Sequence, residues 1–143
     1  MRRVLFYLFV LGIVVAAHAG QPPVSVSDAR VRWLPGDLPM AGYFVITSHA
    51  PSPLRLSGAT SPAFGHVMLH RSVAEADVER MVHVDGVELA PGESVTFAPG
   101  GYHLMLMHRT QALHVGGEVL VTLSFSDGQT LPVRFRVTGA RGE

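Results

Sequence analysis

The 143-residue chain contains no cysteine and no lysine. The first absence excludes disulfides, thiolate metal sites, a cysteine nucleophile and a lipid anchor carried on cysteine, so the fold must be stabilised by packing alone. The second makes every basic side chain an arginine. Charge is scarce at 15% and balanced, with eleven basic against eleven acidic residues. No electrostatic footprint for nucleic acid is present, and no nucleic-acid partner is expected. Internal repeats, low-complexity tracts and a second domain boundary are also missing. An apolar fraction of 48% excludes a disordered or collagen-like chain. What is plentiful is histidine, at eight residues, and methionine, at six.

The amino terminus reads as an address. Met1-Arg2-Arg3 is a short positive segment, residues 4–17 are almost wholly apolar, and Ala17-His18-Ala19 fits a small-x-small cleavage site. That pattern is a secretory signal peptide over residues 1–19, because the apolar run falls short of the ~20 residues that span a bilayer. Cleavage after Ala19 leaves a domain over 20–143, 124 residues with nine arginines and eleven acids, a net charge of −2. The brevity of the signal points to a bacterial periplasm, with no membrane span once it is removed. Cleavage after Ala17 fits almost as well and would make His18 the first residue.

The rest of the chain reads as strands. Short apolar runs at residues 24–31, 42–47, 54–56, 67–71, 80–84, 87–89, 95–97, 103–108, 119–125 and 131–137 alternate with Gly- and Pro-rich turns. Ser126-Asp127-Gly128-Gln129 is a hairpin turn between the last two. Residues 73–79 alone favour a helix, too short to persist, and residues 72–80 otherwise read as an acid-rich solvated loop. Many short strands at even spacing predict an all-β sandwich or barrel of one domain.

The chemistry lies in histidine and methionine. His70 is followed by ten residues and Met81, then twenty-one residues and His103, with Met105 two beyond. Side chains two apart on a strand share a face, so His103, Met105 and Met107 project together, as do His66, Met68 and His70. A thioether is a soft neutral ligand, poor for Zn²⁺, Mg²⁺ or Ca²⁺; with imidazole it selects Cu(I). On the residues alone, Leu104-Met105-Leu106-Met107 is equally a buried strand with His103 at its mouth.

The motif His70-x10-Met81-x21-His103-x-Met105 resembles the signature of the periplasmic copper chaperones called PCuAC, or DUF461. Residues 41–46 (AGYFVI), 58–63 (GATSPA), 67–70 (VMLH) and 99–107 (PGGYHLMLM) resemble the family's surrounding segments, and the likeness runs over about residues 24–137. The resemblance implies a cupredoxin-like Greek-key β-sandwich holding one Cu(I) with His70, Met81, His103 and Met105. It implies a carrier rather than an enzyme. The expected recipient is a copper-accepting protein, either cytochrome c oxidase subunit II, with its dinuclear copper centre, or its assembly factors. A monomer is expected. Some relatives carry a His- and Met-rich tail for Cu(II); this chain ends in GARGE, and no carboxyl-terminal Cu(II) site is expected.

Two other readings stand beside this one. If His18 were the first residue, its amine and imidazole would form a histidine brace for copper, in an oxidoreductase or a carrier. Alternatively, the domain is a metal-free β-sandwich interaction module with methionine as core. A zinc hydrolase is disfavoured because the motif lacks an acidic or third histidine ligand. Among the remaining residues, His66 and Met68 are candidates for an outer shell around the site, and His83 shares a face with Met81. His49, His108 and His114 read as surface residues, Trp33 and Tyr43 as core or rim, and Asp28 with Arg30 as a local pair of small value.

Overall fold

The computed structural model describes residues 22–141. The segment read as a signal peptide and the brace reading at His18 lie outside the described residues. Those residues form ten strands and no helix. They are β1 (Val24–Arg32), β2 (Met40–Ser48), β3 (Leu54–Thr60), β4 (Phe64–Glu75), β5 (Val78–His83), β6 (Val87–Leu89), β7 (Ser94–Phe97), β8 (Tyr102–Arg109), β9 (Glu118–Phe125) and β10 (Thr130–Thr138). One hydrogen-bonded sheet runs β5-β4-β8-β7-β2-β1-β10-β9-β3-β6, with a further β8–β2 pairing. The β1–β10 and β7–β8 pairs are parallel and the others antiparallel.

The sheet folds over onto itself, because residues from opposite ends of the strand order share one core: Leu69, Leu104 and Leu106 from β4 and β8, with Leu56, Val121 and Leu123 from β3 and β9. Period-two alternation sends these residues inward. In β9, Val119, Val121, Leu123 and Phe125 are buried while their neighbours are not; in β8, Leu104 and Leu106 face the core and Met105 and Met107 face away. Phe44 stacks on Phe97 with ring centroids 4.2 Å apart and meets Phe135 edge-on at 5.6 Å. Gly42 lies where an added Cβ would sit 3.2 Å from the Cβ of Leu104, so glycine lets β2 close against β8.

Turn chemistry sets the hairpins. Gly128 has φ 87°, the N–H of Gly128 donates to Phe125 O at 3.0 Å, and the N–H of Gln129 donates to the Asp127 carboxylate, also at 3.0 Å. Residues 72–80 are not the acid-rich solvated loop that their composition suggests. They are the tight β4–β5 hairpin, with Ala76 and Asp77 both left-handed at φ 49° and 63°, as a two-residue type I′ turn requires. Pairing with the neighbouring strand overrides a weak helical preference. In β1, Asp28 takes φ 54° at a register shift between Ser27 and Arg30, which interrupts the alternation. Arg30 donates to the main-chain oxygen of Asp28 rather than its carboxylate, and its guanidinium lies 5.5 Å from the Tyr43 ring centroid.

Phe44 is 0% exposed within this aromatic cluster. Phe44→Ala is expected to lower the unfolding free energy by about 3–5 kcal/mol in denaturant titration. Val82→Ala, on the exposed strand β5, should change it by less than about 0.5 kcal/mol.

Candidate metal centre

Strands β4 and β8 run antiparallel with His70 opposite His103, Met68 opposite Met105 and His66 opposite Met107. Residues directly opposite in a ladder share a face. The alternation that buries Leu104 and Leu106 therefore turns six histidine and methionine side chains to the sheet's other face. β5 extends the row, placing His83 opposite His70 and Met81 opposite Ser72. Three imidazoles stand side by side across β5, β4 and β8. The His70 ring centroid is 5.8 Å from that of His83 and 5.9 Å from that of His103.

His103 is 4% exposed. Its Nδ1–H donates to the main-chain oxygen of Gly101 at 3.2 Å. The tautomer inferred from that contact leaves the lone pair on Nε2, which is buried and has no partner. The Gly101 oxygen also accepts the N–H of Ser72 at 3.0 Å, so one carbonyl orients the imidazole and ties β4 to the turn before β8. Gly100, at φ 79°, shapes that turn. His70 Nδ1 is likewise buried without a partner. Orphaned buried nitrogens of this kind cost free energy, and two on facing side chains are what a soft cation would satisfy. Burial pushes the His70 pKa below its ordinary value of 6.5, and the charges that His103 and His83 would carry push it the same way. Both effects favour the neutral imidazole, the form that can donate a lone pair.

The thioethers come from both sides of the imidazole pair. Met105, on the rung next to His103, and Met81, on the edge strand, line with His103 a cavity of about 650 Å³ whose walls include Tyr43, Arg32 and Glu79. Met81 is 58% exposed. Its strand position puts it one rung from His70, a place that His83 holds directly. His83 lies at the surface with Nε2 3.4 Å from the Asp85 carboxylate. Trp33 packs against the core and Tyr43 is buried. His49 is exposed and bonds through Nε2 to Ser25 Oγ at 2.9 Å. Among the described residues, no group of three or more His, Asp or Glu is arranged to hold a metal ion. The donors on the walls of the neighbouring cavity are the sulfurs of Met81 and Met105 and the imidazole of His103.

Comparison with known proteins agrees in fold and extent. The family model described as "Putative lipoprotein LpqE-like" matches residues 24–137. Lxx21020 of Leifsonia xyli subsp. xyli is 40% identical over 120 residues, covering 83% of this chain and 72% of that protein. RP573 of Rickettsia prowazekii is 30% identical over 98 residues, covering 68% of this chain but 54% of its own length. Among solved structures, the copper-bound PCuAC domain from PmoF2 superposes with a TM-score of 0.70 at 26% identity, covering 84% of this chain and 96% of that domain. The solution structure of CuI-DR1885 from Deinococcus radiodurans gives 0.61 at 30%, covering 85% and 83%. The fold is the all-β, cupredoxin-like arrangement of PCuAC domains. With its model matched from the first strand into the last, and with these domains as structural counterparts, the chain belongs to the LpqE-like, PCuAC family.

Proposed function

We propose that this protein is an exported copper carrier that binds one Cu(I) through His70, Met81, His103 and Met105 and passes it to a copper-accepting protein. The observation that carries the reading is the pair of orphaned buried nitrogens, His70 Nδ1 and His103 Nε2, on facing side chains beside a cavity lined by two thioethers. Family membership supports it, since related domains have been solved with copper bound. Residues 1–19 would export the chain to the periplasm as a cleaved signal. No helix among the described residues is long and apolar enough to cross a membrane.

The ligand set explains holding and release together. Two imidazoles and two thioethers are neutral, so the site keeps only the ion's single positive charge, and soft sulfur favours Cu(I) over harder ions. Without a thiolate the grip is weaker than that of a cysteine site. Exposure is graded across the site: His103 is buried and anchored to Gly101, whereas Met81 stands on the outermost strand. Transfer would begin at Met81. An acceptor thiolate forms its bond to the ion as the Met81 thioether leaves, and His103 departs last. Nothing is turned over, so the role is that of a carrier and not an enzyme. The acceptor that suits such an exchange presents cysteine ligands, as does the dinuclear copper centre of cytochrome c oxidase subunit II, the recipient we propose directly or through its assembly factors.

His103→Ala or Met105→Ala should weaken Cu(I) binding by about tenfold or more in competition with a chromogenic chelator, while the far-ultraviolet spectrum keeps its β signature. Unchanged affinity in both variants would contradict the assignment.

The depressed His70 pKa gives a second expectation. Above the unfolded value of 6.5 the histidine is neutral in both states. As pH falls through 6.5 the unfolded chain takes the proton first, so the metal-free fold loses stability until the lower folded-state pKa is passed. Thermal unfolding followed from about pH 7.5 to about pH 5.5 should show this decline. His70→Gln should make the decline shallower, and an equal slope in the two proteins would contradict the expected protonation.

A further inference from the structure

The ladder that aligns His70 with His103 does not end at Met68 and Met105. Four residues along β4, about 13 Å away at strand rise, it reaches His66 opposite Met107. The next residue on β8 is His108. Regular alternation would turn His108 to the face opposite Met107. Instead its backbone is left-handed at φ 55°, a conformation uncommon for a non-glycine residue. Its ring meets that of His66 edge-to-face with centroids 5.3 Å apart. The facing strand accommodates this: a Cβ on Gly65 would lie 3.0 Å from the Cβ of His108, closer than ordinary contact, so glycine there gives the histidine room. Two exposed imidazoles have thus been brought together by a backbone departure, beside a thioether on the same face as His66.

We propose that His66 and His108, with the sulfur of Met107, form a second Cu(I) site, separate from the His70–His103 centre and open to solvent. The donor chemistry is that of the first site with one thioether fewer: two neutral imidazoles set the affinity and the thioether biases it toward a soft monovalent ion. Its exposure makes it the weaker of the two, and Met68 with Met105 spans the strand between them. The proposal rests on the reading of this protein as a Cu(I) carrier, but its residues do not overlap the four assigned to the first site.

The test is anaerobic titration of the full chain with Cu(I) against bicinchoninate, counting equivalents and resolving the two steps. The unaltered protein should take up one tight and one weaker equivalent. His66→Gln with His108→Asn, the latter chosen because asparagine tolerates a left-handed backbone, should abolish the weaker equivalent and leave the tight affinity within about twofold. Gly65→Ala should weaken the second step at least about fivefold by displacing His108, with the first step unmoved. His103→Ala should do the reverse, removing the tight step and keeping the weak one. Saturation of the unaltered protein at one equivalent would overturn the second site while leaving the first standing. So would a second equivalent that survives the double variant, or a pair that takes zinc or Cu(II) but not Cu(I). Loss of the tight step alone in the unaltered protein would instead count against the first site.

Discussion

The register between β4 and β8 fixes both the core and the histidine pair. It sets His70 against His103, and it does so because Leu69, Leu104 and Leu106 must face the shared core. A slip of one residue would expose those leucines and bury the histidine and methionine row, at a cost of several buried side chains. Core formation and site formation are therefore one event. The scaffold holds the two imidazoles in place without any cysteine, by packing on one face of a strand pair whose other face carries the chemistry. The Gly101 carbonyl adds the fine adjustment, fixing the His103 ring while accepting a main-chain bond from β4.

The resulting centre is buried at one end and open at the other. His103 sits under the turn before β8, whereas Met81 stands on β5, which is exposed along its whole length. An edge strand with such a surface is usually a liability. Here the short hairpin through Ala76 and Asp77 keeps it brief, and its outward position places a thioether where a partner can reach it. The cavity is not electrically bare, since Arg32 and Glu79 are both on its wall with opposite signs.

Much of the fold was legible because Gly and Pro punctuate the apolar runs. The β9–β10 hairpin follows from Asp127-Gly128 alone, and the burial of Val119, Val121, Leu123 and Phe125 from alternation alone. Residues 73–79 were not legible, because an Ala- and Glu-rich stretch does not announce a type I′ turn; only pairing with β5 makes it one. Asp28 misled in the same way, since a register shift is a property of two strands and not of one. For the site, the spacing of the four residues carried a signal only beside the family motif. That His103 and Met105 share a face followed from strand periodicity, but that His70 lies opposite His103 is a long-range pairing that spacing cannot supply. His83 was placed on the Met81 face by periodicity, but its position beside His70 and the turning of His108 toward His66 are long-range pairings of the same kind. The sole local hint of the latter was Gly65, whose missing side chain has meaning only once β8 lies alongside.

The atoms that surround the ion decide whether this is a His- and Met-ligated copper carrier. X-ray absorption of the chain loaded with one equivalent of Cu(I) counts those neighbours directly. Two sulfur and two nitrogen scatterers are expected, with one sulfur lost in Met105→Leu and one nitrogen lost in His103→Ala. A shell of nitrogen and oxygen alone, or one that the two substitutions leave unchanged, would contradict that ligation.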